Sequence, residues 1–414
     1  MRELTDWLSA STADPAGFPY QSVLTAVQHF GKAAVPDDIL VLLDKVRGGL
    51  PPIADERDPA RLMLDRFLGV VLDRWDGLFD APSYLALALL PMPDPDEQNL
   101  GAAWRDHDWL TVHLLADVLV FETTAWQHPG QVPLPRQRPS ASIVAKRCRL
   151  AIRAATPALT RLRIDRPTTD GRLADAIHQL WAAITDHLPP AHQDAVRYSM
   201  LPVDTVHDEW MFIRVLQCFE TAFTLMAVEL RAANHLLERG NARLAAVFLD
   251  GAASVLRDAR PLFSLMATLQ PRAFATFRVH TDGASAIQSR AAKLVEVLCR
   301  RPDRQRLDSV AFTSVPDIRQ LVVEGHRGFE DIYLESVAAG RVDPGQRARI
   351  EQAMASLADE VGQWRQTHHR LAVRLLGERP GTGSTSGPEY LAAVRHIPLF
   401  RSIPDATEPT RACP

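Results

Sequence analysis

The sequence predicts an all-α protein, on three observations. Apolar residues, dominated by Leu and Ala, recur at i, i+3, i+4 and i+7 along most of the chain, the spacing that gives a helix one apolar face. Prolines gather between those runs, at 51–52, 91–95, 129–139 and 189–190, where a fixed φ and a missing N–H end helices. No run alternates β-branched and polar residues between hairpin turns, as paired strands require.

Taken in order, the N-terminal MRELTDWLSASTADPAG lacks the basic and apolar regions of a signal peptide. LDRWDGLFDAPSYLALALLPMP (72–93) is aromatic and apolar with proline breaks. It reads as a helix packed into a core, or as a partner or substrate surface, and no chemistry attaches to this half of the chain. His107 and Asp108 in RDHDW read as a polar surface or helix-cap cluster. GQVPLPRQRPSAS (130–142) is the most linker-like interior stretch, and RIDRPTTDGR (163–172) is a second soft point. A domain boundary is expected within 130–170, giving an N-terminal helical region 1–150, a second domain 160–400 and a frayed Pro/Thr-rich tail 401–414. RLADAIHQLWAAITDHL (172–188) and VLQCFETAFTLMAVELRAANHLLER (215–239) carry the clearest helical spacing. Leu371, Leu375 and Leu376 continue a helix from His368 and His369, which Gly377 can cap.

Composition narrows the function. A chain of 414 residues allows two or three domains at about 100–200 residues each. Its 46% hydrophobic and 23% charged residues are ordinary for a globular protein, and a core of this size needs no disulfide or metal to hold it. A net charge of -4 argues against a general nucleic-acid binder. All positive side chains except Lys32, Lys45, Lys146 and Lys293 are arginine, as coding bias produces. Cys148, Cys218, Cys299 and Cys413 lie far apart, without a C-x-x-C motif, and read as buried or stray thiols in a reducing compartment. No run of about 18 apolar residues suggests a membrane span. A cytoplasmic protein, with no nucleic-acid or membrane partner, is expected.

Three constellations could carry chemistry. In FATFRVHTDGASAIQSR, Phe274 and Arg278 are four apart and share a helix face, as an aromatic amino acid whose carboxylate pairs with arginine would require. A structural stacked pair is the plainer alternative. In HDEWMFIRVLQCFE, Phe212, Leu216 and Phe219 form an apolar stripe that core packing alone would explain. WRQTHHRLAVRLLGERPGTGSTSG ends in small residues with hydroxyls and backbone N–H donors that can fold over a ligand's polar groups. No lysine follows these glycines, which argues against a phosphate loop. His192 and Asp194 have the spacing of a non-haem iron triad, but in a helical context beside two prolines. There is no G-x-S-x-G elbow.

Read together, these segments resemble the signatures of the tryptophan 2,3-dioxygenase family, histidine-ligated haem enzymes that open the indole ring. The family patterns H-D-E-x-x-F-I-x-x-H-Q-x-x-E, F-x-x-F-R with S-G-F-Q-S-x-Q-x-R, and W-R-x-x-H with G-T-G-G-S-S-G appear here in the same order. The similarity covers about 195–400, and its last signature is the most specific. It implies an all-α, helical-bundle haem domain of tryptophan 2,3-dioxygenase type, preceded by an additional helical region.

The resemblance also implies roles. His368 matches the proximal ligand of haem b (iron protoporphyrin IX), with His369 its rival in the sequence. Arg278 matches the arginine that holds the substrate carboxylate. Thr382, beside Gly381 in the G-T-G element, matches the threonine that contacts the substrate ammonium. Phe212 and Phe274 match positions where aromatic rings pack on the substrate. Leu216 stands where the family has a distal histidine, and leucine accepts no hydrogen bond. G-S-T-S for G-G-S-S and G-A-S-A for G-F-Q-S are further departures. The implied activity is insertion of dioxygen into the ring of L-tryptophan or a derivative, with an N-formylkynurenine-type product. Leu216 keeps open a monooxygenase or peroxide-using hydroxylase acting on tyrosine or a modified tryptophan. A non-catalytic haem or amino-acid binding protein is a third reading. The implied partners are an aromatic amino acid with dioxygen or peroxide, in a homo-oligomer.

Overall fold

A computed structural model describes residues 2–9, 14–50, 58–94, 96–97, 99–167, 173–281, 283–377, 379, 381 and 386–403. Among these residues the fold is all-α, and the β-type pairing is one isolated bridge between Arg136 and Val206. Thr382, most of the Gly/Ser/Thr run, residues 168–172 and the tail beyond 403 lie outside the described residues.

The N-terminal group comprises α1 (Arg2–Ser9), α2 (Tyr20–Phe30), α3 (Asp37–Gly49), α4 (Pro59–Val71) and α5 (Ala81–Tyr84). Their apolar faces close on a core of their own, built on Leu24, Leu43, Leu64 and Phe67, to which Tyr198 and Leu201 contribute from outside. Tyr20 stacks on Tyr198 with ring centroids 4.4 Å apart. The junction needs a glycine: Gly31 has φ 77, and a Cβ there would lie 2.8 Å from the Asp204 backbone. Just beyond it, the Lys32 ammonium is buried against Asp73 at 2.6 Å.

The main body begins with α6 (Leu100–Gln127), α7 (Ala141–Leu162), α8 (Leu173–Thr185) and α9 (Pro190–Tyr198). It continues through α10 (Asp208–Glu238), α11 (Ala242–Met266), α12 (Pro271–Arg278) and α13 (Arg290–Cys299). Short helices α14 (Arg304–Leu307), α15 (Val310–Thr313) and α16 (Pro316–Val323) precede α17 (Phe329–Ala338), α18 (Pro344–Leu376) and α19 (Pro388–Val394). The main core runs from Leu90 to Phe400 and includes both α6 and α7, which the linker-like stretch 130–142 joins.

Helix α10 is the axis of this body. It is buried on nearly all sides, its polar residues included, and α6, α11, α12, α13 and α17 surround it. Its composition amends the expectation that no segment is apolar enough to cross a membrane. α10 carries an 18-residue window that qualifies, and 89% of that window is buried inside the protein. Helix α18 packs along α11. Asp343 caps its N-terminus with Pro344 at the first position, and Gly377 (φ 59) ends it as its sequence position predicts.

A buried ionic knot fixes the start of α10. Arg147 of α7 is fully buried and donates to Glu122 of α6 and Asp208 of α10, both at 2.7 Å. His207 Nε2 lies 3.2 Å from the other Glu122 oxygen, and Asp208 accepts the Gln270 N–H that leads into α12. The H-D-E signature is therefore a joint between four helices. His107 and Asp108 correct the surface reading: both are buried within α6, where Arg161 makes two bonds to Asp108 at 2.7 and 2.8 Å and Thr221 lies beside His107. The three described cysteines, Cys148, Cys218 and Cys299, are buried and free.

Candidate functional site

Helical spacing brings separate signatures onto one cavity. On α10, Phe212, Leu216 and Glu220 are four apart and present one face; on α12, Phe274 and Arg278 do the same; on α18, so do Trp364, His368 and Leu375 with the intervening Leu371. These faces enclose a cavity of about 240 Å³, closed further by the 284–289 segment, Gly381, Tyr390 and Leu391. A smaller lobe of about 110 Å³ adjoins it and shares Phe223, Trp364 and His368. Six of the seven residues singled out from the sequence, His368, Arg278, Phe212, Phe274, Leu216 and Gly381, line the larger lobe. The seventh, Thr382, is outside the described residues.

The two adjacent histidines part company here. His368 lines both lobes, and His369 lines neither. Burial, with His369 adding to it, pushes the His368 pKa down to about 4, so its imidazole is neutral with a lone pair available. Its ring lies 5.0 Å from Trp364, which in turn meets Phe219, Phe223 and Phe263 edge-on or tilted at 5.3 to 6.0 Å. Trp364 Nε1 is buried without a hydrogen-bond partner among the described residues. Among the described residues no three His, Cys, Asp or Glu side chains cluster to hold a bare metal ion. One neutral imidazole in an aromatic slot suits iron that arrives with a macrocycle's own nitrogen ligands, and the residues present fit a haem.

The opposite wall suits an aromatic zwitterion. Phe212 is 5.6 Å from Phe274 and 5.2 Å from Phe277 between ring centroids. Burial, and then Arg379, lower the pKa of the Arg278 guanidinium from its ordinary value, an environment that favours an anionic ligand. Leu216 offers the cavity only apolar surface. Glu220, one turn along, is the ionisable group on this face: burial raises its carboxyl to about 7, against a bond from Ser289 and the attraction of Lys293.

The N-terminal group supplies walls from the stretch 72–93, for which the sequence offered a core helix or a partner or substrate surface without naming a residue. Ala81, Tyr84 and Leu85 line the cavity, and signature residues of the main body hold that segment. Tyr84 Oη donates to Glu209 Oε1 at 3.2 Å, Gln217 Nε2 donates to the Leu85 carbonyl at 2.8 Å, and Gln288 Oε1 accepts the Ala81 N–H at 2.9 Å. Glu209 also accepts the Val203 and Asp204 N–H groups, and burial raises its carboxyl to about 8. The available signal was the aromatic stretch 72–93, whose one buried tyrosine finds its acceptor 125 residues away.

No family model matches the chain. Among curated proteins, the tryptophan 2,3-dioxygenase of Anaeromyxobacter sp. (strain K) is 27% identical over 257 residues, 52% of this chain and 96% of the relative. That of Anaeromyxobacter dehalogenans (strain 2CP-C) is 26% identical over 52% of this chain and 96% of its own. That of Polaromonas sp. (strain JS666 / ATCC BAA-500) is 26% identical over 51% and 83%. Nearly the whole length of such a relative is thus matched within about half of this chain.

Proposed function

We propose, from the premise that the chain is a divergent member of the tryptophan 2,3-dioxygenase family, that it is a haem-dependent oxygenase. It inserts dioxygen into the ring of L-tryptophan or a tryptophan derivative to give an N-formylkynurenine-type product. The observation that carries this reading is the convergence on one cavity of His368, Arg278, Phe212, Phe274 and Gly381, which come from four separate stretches of chain.

His368 holds the iron through its neutral imidazole. The haem, when bound, supplies the activation of dioxygen. Arg278 takes the substrate carboxylate, and Thr382, by its match to the family pattern, takes the ammonium. Phe212 and Phe274 pack on the aromatic ring, so the amino acid is held at both its charged and its apolar ends. The contribution of these residues is orientation in a mostly apolar cavity. Leu216 gives the ring no hydrogen-bond acceptor and leaves room for a substituted indole.

The same Leu216 favours a second reading, a monooxygenase or peroxide-using hydroxylase of tyrosine or a modified tryptophan. Turnover of the haem-loaded protein with tryptophan and tyrosine analogues, read by mass spectrometry, separates the two. A gain of two oxygen atoms supports the dioxygenase, and a gain of one supports the hydroxylase. In the same preparation, His368→Ala removes the imidazole signature of the Soret band and His369→Ala keeps it. Absence of any Soret band after haem supplementation rejects both readings.

A further inference from the structure

The cationic side chains around the cavity divide between its two lobes. Arg278 lines the larger lobe alone, whereas Lys293, Arg306 and Arg365 line the smaller one alone, and His368 lies between them. Arg306 is already matched: its Nε and Nη2 reach the two oxygens of Glu296 at 2.8 and 2.9 Å. That pairing, with the attraction of Lys293 and Arg365 behind it, outweighs burial and holds the Glu296 carboxyl at about 2, so one carboxylate faces three cations and both its oxygens are bonded to Arg306.

Lys293 is not matched. It is 7% exposed, it sits 5.9 Å above the Phe312 ring, and among the described residues no hydrogen bond or ion pair reaches its ammonium. Arg365 makes its bond to an uncharged group, donating Nη1 to the Ile397 carbonyl. The carboxyl nearest in kind, Glu220, faces the larger lobe and takes its bond from Ser289. Burial lowers the Lys293 ammonium to about 8, with Glu296 resisting, so it keeps most of its charge at neutral pH. Three cations that share the Glu296 carboxylate leave a surplus of two positive charges beside one apolar lobe; such a surplus is costly away from water and points to a ligand that brings two anions.

We propose that Lys293 and Arg365 anchor the two peripheral carboxylates of the haem, an assignment that rests on the haem reading above. The larger lobe then keeps Arg278 for the single carboxylate of the amino acid, so each end of the cavity has the charge its own ligand needs. A second amino acid fits less well, because one carboxylate leaves one of the two cations unmatched and the ammonium adds a third.

The test titrates apo-protein with haemin and with haemin dimethyl ester, whose propionates carry no charge. The wild type is expected to bind haemin about ten- to a hundredfold more tightly than the ester, as a lost charged hydrogen bond predicts. Lys293→Met is expected to lose about half of that preference on a logarithmic scale, Arg365 keeping the rest, while its affinity for the ester stays unchanged, and Lys293→Arg is expected to restore it. Circular dichroism establishes that each variant is folded. Equal loss for both porphyrins, or no loss for either, overturns the anchor and leaves the haem reading intact. Binding of neither porphyrin by the wild type overturns both. An unchanged ester affinity is a readout that a purely structural lysine would not give.

Discussion

Replacement of Arg147 by methionine tests the claim that the joint at the head of α10 organises the fold. Arg147 and its two carboxylate partners are at most 1% exposed, and its Nε also donates to Thr268 Oγ1 at 3.1 Å. Methionine fills much of the volume and strands two buried carboxylates, of which Glu122 retains His207 and Asp208 retains the Gln270 N–H. Removing one partner of a buried pair costs about 3–5 kcal/mol. Against a total stability of about 5–15 kcal/mol, that is a large fraction of the whole. Urea unfolding should show a midpoint lowered accordingly with an unchanged slope.

The pH dependence supplies a second readout. Burial alone would raise the Glu122 carboxyl; the attraction of Arg147 and the His207 contact outweigh it and hold the group below its ordinary value. A lowered native pKa contributes stability above the unfolded value, and that contribution is lost as pH falls through the native one. In the variant burial is left unopposed by Arg147 and the sign reverses. The stability gap between the two proteins should therefore be wider at about pH 7 than at about pH 4. A loss below about 1 kcal/mol, or a gap independent of pH, would refute the reasoning.

Two further predictions concern the cavity. The raised carboxyl of Glu220 makes the native state prefer the protonated form, so its stability is full below the ordinary carboxylate pKa and is lost as pH rises through about 7. Glu220→Gln should remove that slope, worth up to about 3 kcal/mol, and parallel pH–stability curves for the two proteins would refute it. Tyr84→Ala, by removing a wall, should weaken binding of the aromatic amino acid about tenfold or more, whereas Tyr84→Phe keeps the ring and loses about 1 kcal/mol of stability with the Glu209 bond. Calorimetric titration that finds equal affinities in both variants would exclude Tyr84 from the substrate wall.

What the sequence made legible is what a helix encodes locally. Phe274 and Arg278, or Trp364 and His368, share a face because they are one turn apart, and no distant residue is needed to know it. Which of His368 and His369 turns inward also follows, once Trp364 is taken as part of the apolar face. Long-range closure was not legible. The approach of Tyr84 to Glu209 joins positions 125 residues apart, and nothing in the local spacing of 81–85 announces it. His107 and Asp108 look like surface residues in RDHDW because the partners that make their burial tolerable, Arg161 and Thr221, stand on α7 and α10. Lys293 belongs to no quoted motif role, and its interest comes from a buried ammonium that, among the described residues, makes no hydrogen bond or ion pair. The change from one core to the other, between Leu89 and Leu90, falls at the edge of the 91–95 proline cluster, which reads as a helix end and not as a change of core.

The hold of Glu209, Gln217 and Gln288 on residues 81–85 has a consequence for how such a protein diversifies. Two of the three bonds terminate on main-chain atoms, Leu85 O and Ala81 N, so they constrain the path of the segment and leave its side chains open to replacement. Ala81 and Leu85 can be exchanged for larger or smaller residues, reshaping one side of the cavity, while every helix that carries the histidine, the arginine and the phenylalanines keeps its sequence. Selectivity for one aromatic ring over another can thus drift in a short stretch of chain that bears none of the chemistry.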